Sequence, residues 1–176
     1  MNLELVSPAI HYRDTVIRGL RELQAEGLPW WVAMDLQVVE EDFAAFVAEK
    51  LADAHRRTES FVPATVLWAI ADGQFVGRIS IRTELNDALR VMGGHVGYDT
   101  VPSFRGRGVA TAMLRRALPR LHALGLTEVR LTVDDTNAAS IRVIERNGGV
   151  LRETKSLSPD RPAKRYYDIA LPPNLE

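Results

Sequence analysis

The chain has 176 residues, 46% hydrophobic and 26% charged, enough to bury a core within one domain. Lys and Arg number 22 against 23 Asp and Glu, and a net charge of −1 excludes nucleic-acid binding driven by bulk electrostatics. The absence of cysteine excludes disulfides, a thiol nucleophile and cysteine-held metals.

In chain order, Met1 to Leu5 has neither the basic nor the apolar region of a signal peptide. No later apolar run approaches the ~20 residues that span a bilayer, so a cytoplasmic protein without membrane association is expected. Tyr12, Val16, Leu20 and Leu23 recur at helical spacing, and Gly27 with Pro29 ends that element. Asp42 to Ala54 repeats the pattern through Phe43, Phe46, Val47 and Leu51. Val66 to Ile70 and Phe75 to Ile81 flank Asp72-Gly73, a strong hairpin signal. A third strand holds His95 to Tyr98.

A glycine-rich turn follows, Arg105-Gly106-Arg107-Gly108-Val109-Ala110, opening a helix near Thr111. That helix presents Ala110, Met113, Leu114, Ala117, Leu118 and Leu121 on one face; Pro119 is expected to kink it or end it early. Val129, Leu131 and Val133 alternate as on a strand. Asp134 to Asn137 supplies cap chemistry for a short helix from about Ala138 to Arg146, which Asn147-Gly148-Gly149 stops. Val150 to Thr154 and Arg165 to Leu171 read as two last strands. Strand, helix and strand from His95 to Val133 imply a parallel pair with a crossover, inside a sheet that is otherwise antiparallel.

The glycine turn lies between a strand and a helix N-terminus. Its free backbone N–H groups and the helix dipole make an anion site suited to a phosphate or pyrophosphate. A dinucleotide fingerprint would need Gly where Thr111 stands, and a P-loop would need Gly-Lys-Ser/Thr where Val109-Ala110 stands. The four histidines are scattered without metal spacing, and no metal is expected.

The turn, with Arg105, Gly108 and Ala110 at its fixed places and Pro102 before it, resembles the pyrophosphate loop of the GNAT superfamily of N-acetyltransferases. One crossover later, Asn137-Ala138-Ala139-Ser140 and Glu145-Arg146-Asn147-Gly148-Gly149 resemble the family's second block. Gly93 to Tyr98, Val143 to Gly149, Arg82 and Leu85-Asn86 resemble a bacterial subgroup of acetyltransferases whose acceptor is open.

The resemblance implies a single GNAT domain over residues 3–171. Its class is α/β (α+β), with a mixed, mostly antiparallel sheet, a central splayed parallel pair and flanking helices. It implies acetyl-CoA as co-substrate, with the amides of Arg105, Gly106, Arg107, Gly108, Val109, Ala110 and Thr111 around the pyrophosphate. Backbone near Tyr98 and Thr100 would pair with the pantetheine arm, and Asn137 and Ser140 would lie beside that arm or the thioester. Acetyl would pass directly to a primary amine of a small molecule or peptide, with a homodimer among the assemblies the resemblance allows. A non-catalytic acyl-CoA sensor and a transferase of longer acyl groups are the alternatives.

Acyl transfer to an amine asks for a base, an oxyanion donor and an acid. His95 is the candidate base, its other reading being a hydrogen-bonded sheet residue. Ile144 occupies the place of the usual family tyrosine, so Ser140, Tyr166, Tyr167 or water is left as acid. Arg82, Glu84, Asn86 and Asp134 are candidate acceptor contacts, the carboxylates suited to a cationic amine. Arg115, Arg116 and Arg120 suit either the 3′-phosphate of CoA or a solvated helix face. Trp30 and Trp31 suit either the acceptor pocket or an anchor for the first helices.

Overall fold

A computed structural model describes residues 2–172, apart from the side chain of Trp30. Two sheets carry the fold. The first has β1 (Leu3–Val6), β2 (Thr65–Ala71), β3 (Gln74–Ile81) and β4 (Val96–Thr100) in that spatial order, all antiparallel. The second has β5 (Glu128–Asp134), β6 (Val150–Lys155) and β7 (Lys164–Ala170), with β7 in the middle and both pairings antiparallel. The helices are α1 (Arg13–Ala25), α2 (Pro29–Val32), α3 (Leu36–Glu41), α4 (Phe43–Ala52), α5 (Asp87–Val91), α6 (Val109–Ala123) and α7 (Ala138–Arg146).

Alternation along β2 and β3 divides the core. Leu67, Ala69, Ile79 and Ile81 face Met113, Leu114 and Ala117 of α6. Val66, Trp68 and Phe75 face Val16, Leu20 and Leu23 of α1 and Phe43 and Phe46 of α4. Helices therefore cover both faces, one set from the N-terminal third and the other from the crossovers. The hairpin at Asp72-Gly73 forms as expected, with φ of 50° and 75°, the left-handed pair that a tight two-residue turn needs.

Some elements depart from the sequence reading. β1 lies where only helix was expected; four residues are too few for periodicity to register, and pairing of Leu3 to Val6 with Ala71 to Trp68 creates the strand. Of the two outcomes expected at Pro119, a kink or an early end, the early end is not seen: helix α6 runs through Pro119 to Ala123. The carbonyl that Pro119 leaves unpaired belongs to exposed Arg115, while buried Leu118 and Leu121 hold the last turn to the core. No helix among the described residues is long and apolar enough to cross a membrane.

The junction of the two sheets positions the site. β4 and β5 form no ladder, so the expected parallel pairing is not seen as hydrogen-bonded strands. They touch where each begins: the His95 amide donates to the Arg130 carbonyl at 2.8 Å, and Gly94 forms one bridge, of antiparallel type, with Leu131. Gly94 has φ of +72°, and a Cβ there would collide with the Arg130 carbonyl, so glycine permits the approach. Past that clasp the strands separate, and each presents an unpaired edge to the gap.

Candidate active site

The glycine turn lies between the end of β4 and the start of α6. Gly106 and Gly108 have φ of 74° and 79° in open surroundings, so they are needed for backbone shape rather than for close packing. Gly108 is the residue capping α6, and no side chain caps that end. From Gly106 to Thr111 the backbone amides have no acceptor among the described residues. A row of unsatisfied N–H groups, backed by the dipole of a 15-residue helix, is a preformed anion cradle.

The Arg105 amide, expected among the cradle donors, donates to the Pro102 carbonyl at 3.1 Å. The Arg105 guanidinium forms a two-point ion pair with Glu26, the residue that caps the end of α1, with Nη2 at 2.6 Å from Oε2, and its Nε donates to the Thr100 carbonyl at 3.2 Å. The hydrogen bond to Glu26 raises its already high pKa further, against the lowering effect of burial. The side chain thus pins the turn to α1, and its charge is largely neutralised by Glu26. Arg107 stays exposed beside the Phe104 ring, 5.4 Å from the ring centre.

Beside the cradle, the gap between β4 and β5 widens into a cleft of about 890 Å³. Tyr98, Asn137, Ser140 and Ile144 line its α7 side. The Asn137 side chain accepts from the Ser140 amide at 3.0 Å and so caps α7. The Tyr98 hydroxyl donates to the Ser140 carbonyl at 3.4 Å, across the gap, and burial raises its pKa. Asn147, after α7, donates to the carbonyls of Val143 and Thr111 at 2.8 and 3.3 Å, tying the end of α7 to the start of α6. Thr100 is buried and its carbonyl is engaged by Arg105, which leaves Tyr98 as the more accessible of the two backbone positions on β4.

The opposite wall is charged. Arg78 and Ser80 of β3 and Arg82 just after it line the cleft in alternation, and Arg78 pairs across the strands with Asp99. The Arg78–Asp99 ion pair spans 2.8 Å, and the guanidinium also lies 4.8 Å from the buried Trp31 ring centre. Asp134 pairs with Lys164 at 2.6 Å. The loop between β6 and β7 adds Leu157, Ser158 and Arg161. Sequence reasoning missed Arg78, Arg161 and Lys164; the available signal was the charged and polar alternation of Arg78, Ser80 and Arg82 beside a core hairpin.

Several expected site residues lie elsewhere. His95 is absent from the cleft: its Nδ1 accepts from the Arg130 amide at 2.8 Å, and its ring lines a separate recess with Glu84, Arg90 and Arg130. Burial lowers its pKa, with the Arg130 and Arg90 charges acting in the same direction. A ring held by a backbone donor at the clasp fastens one sheet to the other, as in the second reading of His95, a hydrogen-bonded sheet residue. Glu84 is paired with Arg57 in that same outer region. Asn86 caps α5, accepting from the Leu89 amide at 2.9 Å. Tyr166 and Tyr167 are buried and donate to the Val91 carbonyl and the Glu145 carboxylate, both at 2.9 Å, so neither reaches the cleft. Arg120 bonds the Leu5 carbonyl at 2.8 Å, while Arg115 and Arg116 are exposed.

Comparison with known proteins gives a consistent picture. The family model described as "Acetyltransferase (GNAT) domain" matches residues 10–150. Among solved structures, the microcin C7 self-immunity acetyltransferase MccE, with acetyl-CoA and AMP, has a TM-score of 0.70 at 15% identity over 96% of this chain and 92% of that one. The Salmonella typhimurium enzyme that modifies the N-terminal serine of ribosomal protein L7/L12 has a TM-score of 0.65 at 16% identity, covering 98% and 96%. Mycobacterium smegmatis RimJ, with CoA-disulfide, has a TM-score of 0.64 at 22% identity, covering 94% and 85%. No curated protein sequence matches the chain.

Proposed function

The chain belongs to the GNAT family of acetyl-CoA-dependent acetyltransferases, and on that premise we propose that it transfers acetyl directly to a primary amine bound in the cleft between β4 and β5. The carrying observation is the unsatisfied row of amides from Gly106 to Thr111, beside strand edges left open by the splay. The donor set fits a CoA: N–H groups and a helix N-terminus for the pyrophosphate, and a free β4 edge near Tyr98 for the amide groups of the arm. Acetyl-CoA would supply an acyl group already activated as a thioester.

The chain's own residues divide the remaining work. Arg105 and Gly108 hold the turn in shape, Asn137 fixes the first turn of α7, and Ser140 lies beside the reacting end. Tyr98 is the proton donor to the departing sulfur: burial keeps its phenol protonated at neutral pH, and it occupies the cleft that Ile144 leaves without the usual tyrosine. The attacking amine must lose its proton. Both carboxylates in the cleft are held in ion pairs, so that proton leaves through water.

The test is thiol release from acetyl-CoA against a broad amine panel, with calorimetric CoA binding alongside and longer acyl-CoAs as comparison. Amine-dependent thiol release supports the reading. CoA binding without thiol release across the panel makes the chain a sensor, and faster turnover with a longer chain makes it a different acyltransferase. No CoA binding removes the assignment of the glycine turn.

A further inference from the structure

The cleft holds more positive charge than its own carboxylates neutralise. Four cations line it, Arg78, Arg82, Arg161 and Lys164, against two carboxylates, Asp99 and Asp134. Arg78 and Lys164 take both carboxylates in ion pairs. Arg82 and Arg161 have no ionic partner among the described residues; Arg82 makes only a long bond, 3.4 Å, to the Gly94 carbonyl. Arg82 is partly buried, and that burial, with the charge of Arg78, lowers its pKa. Partly burying a guanidinium without an anion is unfavourable, and a bidentate anion is the partner its fork fits.

The position of Arg82 separates this charge from the CoA phosphates. Its amide bonds the His95 carbonyl at the start of β4, whereas the amide cradle follows the end of β4. The five residues of that strand carry the chain about 17 Å from one to the other. Arg82 directly follows β3 and lines the same cleft as Arg161 of the loop between β6 and β7.

We infer that the acceptor is an amine carrying an anionic group, a carboxylate or a phosphate, which Arg82 and Arg161 receive in the cleft. The inference rests on the acetyltransferase reading and names the substrate class of the same site. It adds an anionic group to the expectation that carboxylates at the mouth attract a cationic amine, since Glu84 and Asp134 are already paired.

The experiment uses the full chain and matched probes: alanine against alaninamide, and O-phosphoethanolamine against ethanolamine. Thiol release gives kcat/KM for each, and calorimetry measures binding of N-acetylalanine against N-acetylalaninamide to the protein without CoA. The expected result is at least a tenfold preference for the anionic member of one pair, in turnover or in binding. The pair that shows it distinguishes carboxylate from phosphate. Arg82→Gln and Arg161→Gln should each reduce that preference at least fivefold, Arg82→Lys should restore part of it, and CoA affinity should stay as in the parent. Equal or better use of the neutral members overturns the inference while leaving the acetyltransferase reading intact. Parallel loss of CoA affinity in Arg82→Gln would also overturn it, by placing Arg82 in the donor site. If no amine is turned over, the binding comparison still decides, and absence of anion preference there overturns the inference.

Discussion

Replacing Gly108 by Asn and by Asp tests the anion cradle with a change of one charge at nearly constant shape. Gly108 has φ of 79° and ψ of 8°, and a Cβ there would meet no atom within 4 Å. Either side chain is therefore accommodated, and both variants carry the same left-handed penalty of about 1–2 kcal/mol, eased by the tolerance of Asn and Asp for that region. With about 2–4 °C of melting temperature per kcal/mol for a chain of this size, both should melt a few degrees below the parent and close to each other. Binding should separate them. A carboxylate roughly 7 Å from a phosphate charge at the helix start is opposed by about 2.4 kcal/mol at an effective dielectric of about 20. Salt at about 0.15 M reduces that to about 1 kcal/mol. Gly108→Asp should thus bind CoA about 5- to 60-fold more weakly than Gly108→Asn, with the gap narrowing as salt is raised. Titration calorimetry at two ionic strengths, with melting curves as control, measures both quantities. Equal CoA affinities for the two variants would refute the placement of the pyrophosphate at this turn.

Three further outcomes follow from the same geometry. Tyr98→Phe should lower kcat about 100-fold or more with CoA affinity little changed, as expected for a lost general acid; unchanged kcat removes Tyr98 from that role. His95→Gln should leave the shape of the pH–rate profile as it is and alter stability instead. The folded pKa of His95 is lowered, so the unfolded chain binds the extra proton first, and stability present above the ordinary histidine value of about 6.5 is lost as pH falls through the folded value. Melting curves across that window should show a shallower acid decline in the variant, and an identical decline would refute it. Gly94→Ala combines a left-handed φ with a collision against the Arg130 carbonyl and should cost about 2–5 kcal/mol; a melting temperature within 2 °C of the parent would show that the clasp between β4 and β5 is not tight.

Local chemistry made much of the molecule legible in advance. The Asp72-Gly73 hairpin, the amphipathic face of α6 and the Asn137 cap each depend on residues near one another in sequence, so their signals survive without tertiary context. β1 and the passage of α6 through Pro119 depend on distant partners, respectively β2 and the core beneath Leu118 and Leu121, and no local pattern carries them. The charged alternation of Arg78, Ser80 and Arg82 was visible, but its orientation into a cleft rather than into solvent was not.

The glycine turn is the feature that the sequence by itself determined. Gly106 and Gly108 dictate a left-handed backbone, and a helix start after them leaves amides unsatisfied whatever surrounds them. The family resemblance was therefore readable from about Gly93 to Gly149. Which charges lie buried or paired in the cleft emerged only from tertiary structure, because burial and pairing of charge are properties of packing. His95, Glu84 and Asn86 read as site residues by type, and only packing revealed their partners in a clasp, an ion pair and a cap. Tyr98 and Arg82 acquire their candidate roles from the gap that opens when two strands meet at one end and part at the other.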